Sequence, residues 1–170
     1  MGREASIIAH KQFNDYMERN TFAEKNRLFC GHGLSHALDV SHAGMAMAIG
    51  NKLPIKKDVI RAAGLLHDIG RWKEYESGQD HALASAELAV EILRDCGYNL
   101  TEEALIVDAI KSHRTVSKQE QLVENQILSL ADVLFKCDKI VRPCEGCKAK
   151  SKCKHHQAPV ERQRTNASTI

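Results

Sequence analysis

Apolar residues recur at helical spacing along most of the chain, and alternating β-branched runs are scarce. Ile7, Ile8, Phe13, Tyr16 and Met17 mark a first amphipathic helix. His36, Val40, Ala43 and Met47 fall on one stripe of a second, with Ser35 as its cap. A third runs from Lys57 to about Ile69, with Gly70 as its C′ residue. Residues 71–80 read as a polar loop. Asp80 caps a fourth helix that carries Ala84, Leu88 and Ile92 on one face and ends at Gly97. A fifth starts at Thr101-Glu-Glu and runs to about His113, and a sixth spans about Lys118 to Lys136. The expectation is an all-α fold, a helical bundle of about six main helices.

The 170 residues suit one domain with a single core. A hydrophobic content of 43% and a charged content of 27% place the chain among ordinary globular proteins rather than disordered or membrane ones. No apolar run approaches the roughly 20 residues that span a bilayer, and the N-terminus lacks a secretory pattern. A cytoplasmic location with no membrane partner is the reading.

Charge divides the chain further. Residues 136–156 hold seven Lys/Arg against two Asp/Glu, a local charge of +5, whereas residues 1–135 carry −4. Three regions follow: a helical domain over 1–136, a basic Cys-rich segment over 137–156 and a flexible tail over 157–170. A basic patch attracts phosphates or nucleic acid, or is simply solvated.

Four polar residues sit in apolar company. His36 lies between Leu34 and Leu38, His67 and Asp68 between Leu66 and Ile69, and Asp132 within Leu130–Val133. A lone Asp there is costly unless it is paired or ligating, and sharing one cation would satisfy all four groups. Adjacent helical residues point about 100° apart, so His67 and Asp68 could reach one ion from two sides. Two imidazoles and two carboxylates leave coordination positions open, as a catalytic site requires. His81 and His113, at helix ends, could hold a second ion bridged through Asp68. His32 either faces the pocket or faces solvent; His10 and His42 read as structural or surface residues.

The ordered set His36…His67-Asp68…Asp132 resembles the HD superfamily, named for its His-Asp doublet. "HGLSHALDVSHAGMAMAI" is similar to that family's first-ligand helix and "AAGLLHDIGR" to its doublet segment. "DHALASAELAVEIL" and "IVDAIKSHR" resemble its accessory-histidine segments, and "LSLADVLFK" its last-ligand helix. The resemblance spans about residues 30–140. It implies a small all-α member, a metal-dependent phosphohydrolase with a nucleotide or related phosphate ester as substrate. It implies His36, His67, Asp68 and Asp132 as ligands, and His81 and His113 as those of a second ion. No GYP-type signature is present, which sets the cyclic-di-GMP branch aside.

The residues support hydrolysis at phosphorus, in which the metal activates water and polarises a phosphoryl oxygen. Mn, Fe, Co, Ni, Zn and Mg are not distinguished by such donors. Asp68 and Arg71 are the catalytic candidates, Arg71 offsetting charge on the phosphoryl oxygens. Lys73, Arg114 and Lys136 are further phosphate-binding candidates, each also readable as a solvated surface charge. The alternatives are a metal- and nucleotide-binding signalling module without turnover, or nucleic-acid or partner binding through the basic segment.

That segment, "RPCEGCKAKSKCKHH", contains Cys144, Cys147 and Cys153, followed by His155 and His156. Clustered thiols in a reducing compartment point to metal before disulfides. Three thiolates with His155 or Cys137 could hold zinc, and an iron–sulfur cluster is the other option. A reduced, unligated loop stays open as well. Interleaved lysines would attract nucleic-acid phosphates, but no aromatic residue is there to stack on bases.

Overall fold

The computed structural model describes residues 2–114 and 128–153. Eight α-helices lie among them: α1 (Arg3–Ala9), α2 (Lys11–Ala23), α3 (Leu34–Gly50), α4 (Lys57–Leu66), α5 (Arg71–Ser77), α6 (His81–Asp95), α7 (Leu100–Ser112) and α8 (Leu130–Ile140). A single 3-10 turn follows at Lys150–Lys152. No strand occurs among the described residues, so the all-α expectation holds.

α4 is the central element. It touches α1, α3, α6, α7 and α8, and every residue from Ile60 to Leu66 except Arg61 is buried. Leu65, Leu66 and Ile69 are fully buried, each contributing about 1.5–3 kcal/mol of hydrophobic stabilisation. The His67-Asp68 doublet is therefore carried by a fully buried helix end. α3 packs along α4 closely enough that a Cβ on Gly64 would come within 2.5 Å of Ser41 Cα.

Several elements differ from the sequence reading. The first helix is two helices, because His10 adopts an extended backbone (φ −70°, ψ 130°) between α1 and α2. The polar loop over 71–80 contains α5, which Trp72 anchors by burying its indole against Tyr16, with ring centroids 6.3 Å apart. α7 is capped by Asn99 in a capping box with Glu102, rather than starting at Thr101. α8 starts at Leu130 under a Ser129 cap and continues past Lys136 to Ile140, with Cys137 fully buried in the core. Of the expected sixth helix, residues 118–127 lie outside the described residues, as do His155, His156 and the tail over 157–170. No helix is long and apolar enough to cross a membrane among the described residues.

Gly70 has a different job from the one its position suggested. Its φ is −94°, which any residue adopts, so it is no left-handed helix terminator. It is the point where the turn after α4 presses on α6: a Cβ would lie 2.5 Å from Ser85 N and 2.7 Å from Ala84 C. Its own N–H donates to Ser85 Oγ at 2.9 Å. Gly70→Ala is expected to lower stability by about 1–3 kcal/mol, read as an earlier denaturation midpoint. Gly146→Ala, where a Cβ meets nothing within 4 Å, should leave the midpoint in place. An unchanged midpoint for Gly70→Ala would contradict the close approach.

Candidate metal centre

α4 ends at Leu66, and the turn that follows carries His67 and Asp68 into the space between α3, α6, α7 and α8. α3 brings His36 from its first turn. His81 opens α6, His113 closes α7, and Asp138 comes from the last turns of α8. Helix ends from four directions thus converge on one carboxylate.

Asp68 divides its two oxygens. Oδ2 lies 3.2 Å from His67 Nε2 and 4.0 Å from His36 Nε2. Oδ1 lies 3.3 Å from His81 Nε2 and 3.7 Å from His113 Nε2. His36 Nε2 is also 3.3 Å from Asp138 Oδ1. Two donor groups result, His36/His67/Asp68/Asp138 and Asp68/His81/His113, each with its ligand atoms within 4.8 Å of one another. Asp68 belongs to both.

The far sides of the His67, His113 and His81 rings are fixed. His67 Nδ1 donates to the Gly64 carbonyl at 2.8 Å, and His113 Nδ1 to the Ile110 carbonyl at 2.6 Å. A carbonyl only accepts, so Nδ1 carries the proton and Nε2 is turned to the centre. Glu74 Oε2 takes the same role toward His81 Nδ1 at 2.6 Å. Arg142 Nη2 donates to Asp138 Oδ2 at 2.6 Å, and Lys139 Nζ is 3.6 Å from it, leaving Oδ1 for His36.

Charge follows the same division. Burial pushes the Asp68 carboxyl upward, but His67, His32 and His113 around it prevail and hold it well below the ordinary carboxylate range. Burial likewise opposes the charge on Asp138, yet the nearby His36, His67 and Arg142 hold its pKa low. For His67, burial disfavours the cation and Asp68 favours it, with a raised pKa of about 9 as the outcome. His113 is pushed down to about 4 by burial, and His81 is lowered by burial too. Ionised carboxylates beside neutral imidazoles are the forms that bind a cation; His81 and His113 are held neutral, and His67 gives up its proton when an ion takes its place beside Asp68. His36 Nε2, His67 Nε2 and Asp68 Oδ1 are all buried and make no hydrogen bond. Buried polar atoms without partners are rare, and these three all face the centre. The residues fit a divalent cation.

One expected ligand is elsewhere. Asp132 is not part of the centre; it is the N3 residue of α8. Its Oδ2 accepts from Ser129 N at 2.9 Å and Ser129 Oγ at 2.6 Å, while its own N–H donates to Ser129 Oγ at 3.1 Å. A capping box explains its apolar surroundings without a metal. Asp138 takes the place instead, six residues on and about 240° further round the helix.

The cations are similarly sorted. Arg71 Nη1 sits 2.6 and 2.9 Å from the two ring nitrogens of His81 and 3.2 Å from Glu74 Oε2, on the rim of the centre. Arg114 is drawn to Asp80 Oδ2 at 2.6 Å, and Lys73 lies over the Trp72 ring. Lys136 is two residues from Asp138, about 200° round α8, so it does not share the Asp138 face. Lys139 and Arg142 are the cations that do. His32 is buried and faces inward, its Nε2 4.0 Å from Asp68 Oδ2. Glu24 accepts from its backbone N–H and pairs with its Nδ1, both at 2.6 Å. Fully buried Asn20 donates to the backbone carbonyls of Asp68 (2.9 Å) and His32 (3.3 Å) and accepts from Trp72 N (2.8 Å). It ties α2 to the doublet.

A histidine–aspartate metal centre at the converging ends of a helical bundle is the class that this geometry defines. A family model, HD domain, matches residues 33–136, and the chain belongs to that family. An uncharacterised protein of Clostridium beijerinckii is 32% identical over 153 residues, which cover 90% of this chain and 92% of that one. Ribonuclease Y of Clostridium botulinum is 32% identical over 101 residues, 59% of this chain but only 18% of its own length. A crystal structure of a predicted HD superfamily hydrolase from an uncultured Thermotogales bacterium superposes with a TM-score of 0.55 at 27% identity, over 74% of this chain and 66% of that one. The family match stops two residues before Asp138, so that residue's place in the centre rests on its geometry.

Asp138→Ala is expected to weaken divalent-metal binding by at least about tenfold, measured by calorimetric titration of metal-stripped protein. Asp132→Ala should instead cost about 0.5–2 kcal/mol of stability through the lost cap with metal affinity intact. The opposite pattern would restore Asp132 as the ligand.

Proposed function

We propose that the protein is a metal-dependent phosphohydrolase that holds two divalent ions across Asp68 and hydrolyses a nucleotide or related phosphate ester. The observation that carries the reading is the division of Asp68, with one oxygen turned to each donor group. Paired ions about 3.5–4 Å apart are a recurrent device for displacement at phosphorus. Membership of the HD domain family and the likeness to an HD superfamily hydrolase support metal-dependent phosphohydrolase chemistry in general terms. The ribonuclease Y likeness favours a substrate with a nucleotide phosphodiester, over the part of that protein the chain matches.

His36, His67, Asp68 and Asp138 would hold one ion; Asp68, His81 and His113 would hold the other. Bound there, the ions supply Lewis-acid activation of water and of a phosphoryl oxygen. The chain itself supplies orientation. Gly64 and Ile110 carbonyls and Glu74 aim the imidazoles, Arg142 and Lys139 hold Asp138, and Asn20 fixes the doublet backbone. Arg71 is the cation placed to offset charge on phosphoryl oxygens.

The test is a turnover panel on the full chain, stripped by chelator and reloaded singly with Mn, Fe, Co, Ni, Zn or Mg. Mononucleotides, cyclic nucleotides, dinucleoside polyphosphates and short RNA are the substrates, with carboxylic esters as controls. Phosphate-ester hydrolysis should appear only in reloaded protein and fall more than about a hundredfold in Asp68→Ala. Absence of turnover with every metal, or an unaffected Asp68→Ala, would overturn the reading.

A further inference from the structure

Cys144, Cys147 and Cys153 take no part in the two His/Asp donor groups, and the sequence offered Cys137 or His155 as their fourth partner. Cys137 is fully buried in the core: it sits on α8 with no solvent exposure, its thiol pushed up to about 12 by burial. His155 lies outside the described residues. A different thiol is present. Cys30, from the loop between α2 and α3, lines the same surface cavity as Cys144 and Cys147, together with Phe29 and Arg142.

We infer that Cys30, Cys144, Cys147 and Cys153 form a second, structural metal site, a tetrathiolate zinc centre joining the α2–α3 loop to the C-terminal segment. Three observations carry it. Cys144 and Cys147 flank a tight turn in which Cys147 N–H donates to the Cys144 carbonyl at 3.3 Å, the arrangement a C-x2-C pair needs to grip one ion. The 3-10 turn at Lys150–Lys152 brings the chain back, with Lys150 N–H bonded to the Cys147 carbonyl and Cys153 N–H to the Lys150 carbonyl. Cys30, Cys147 and Cys153 all lie within electrostatic reach of the Cys144 thiol, which burial and then these neighbours push upward. All four are free and half-buried rather than sunk in the core, so an ion can reach them.

Four thiolates on a divalent ion leave two net negative charges. Arg142, Lys148, Lys150 and Lys152 lie in the segment against one acidic residue, Glu145, and this excess of cations is what a tetrathiolate centre calls for. Among the described residues, only the two His/Asp groups already have their donor atoms within 4.8 Å of one another. Cys30, Cys144 and Cys147 line the cavity, Cys153 follows the 3-10 turn beside it, and the four would close on the ion by side-chain rotation, releasing their protons to solvent. Soft thiolates in a four-coordinate set select zinc over the harder ions that suit His/Asp donors. The site would also brace the primary centre. Cys30 is two residues from His32, and Arg142, which grips Asp138, is two residues from Cys144.

The test uses the full chain, purified under reducing conditions, with Co²⁺ as the probe. Thiolate-to-cobalt charge-transfer absorption reports this site alone, because the other centre has no sulfur. Wild type should show that absorption in a tetrahedral spectrum and bind zinc in its place. Cys30→Ser should lose about a quarter of the absorption and bind zinc at least about tenfold more weakly; Cys137→Ser should match wild type. Alkylation followed by mass spectrometry gives a reading without variants: Cys30 should be protected by zinc and exposed by chelator, together with Cys144, Cys147 and Cys153. The proposal is overturned if Cys30 alkylates equally with and without zinc, if Cys30→Ser keeps the wild-type spectrum and affinity, or if reduced protein carries iron with acid-labile sulfide at these thiols.

Discussion

Everything near the centre is arranged around one buried, ionised carboxylate. Asp68 is 4% exposed, in a place where an unpaired charge would be costly. Four imidazoles stand around it, His36 from α3, His67 from the turn after α4, His81 from α6 and His113 from the end of α7. Burial and pairing pull in opposite directions on the carboxyl, and pairing wins. Yet the compensation is incomplete, since Asp68 Oδ1 and the Nε2 atoms of His36 and His67 make no hydrogen bond. A core that leaves three polar atoms unpartnered, all aimed at one space, is built around something positive.

The scaffold explains how so many polar groups can be held there. α4 supplies rigidity through its almost complete burial, and close approaches at Gly64 and Gly70 leave its end little freedom. Asn20 then fixes the backbone of the doublet from α2, and Glu24, which caps the end of that helix, fixes His32. α2 contributes no ligand, but it and its cap hold the doublet and His32 in place. Outer hydrogen bonds of this kind orient ligands as effectively as the ligands' own helices do.

Much of this was legible in the sequence where periodicity and chemistry agreed. His36 lies on an apolar stripe, and the doublet ends an apolar helix, so both helix and site could be placed from spacing. Asp132 shows where such reasoning misleads: an Asp in apolar company reads as a ligand, but a serine three residues before it makes a capping box. Asp138 was obscured by its charged neighbours Lys136 and Lys139, although it continues the buried face of Val133, Leu134 and Cys137 on the same helix. α5 was hidden because one tryptophan, not a stripe, anchors it. The roles of Asn20, Glu24 and Cys30 have no local signature. Each depends on residues brought near from distant parts of the chain, which only the fold provides.

The central claim is that Asp68 joins two ion sites. It is tested most directly by anomalous diffraction from crystals of the full chain loaded with Mn²⁺. The account predicts two peaks, one among His36, His67 and Asp138, the other beside His81 and His113, with an Asp68 oxygen on each. A single peak that leaves His81 and His113 without an ion, or a peak at Asp132, would contradict it.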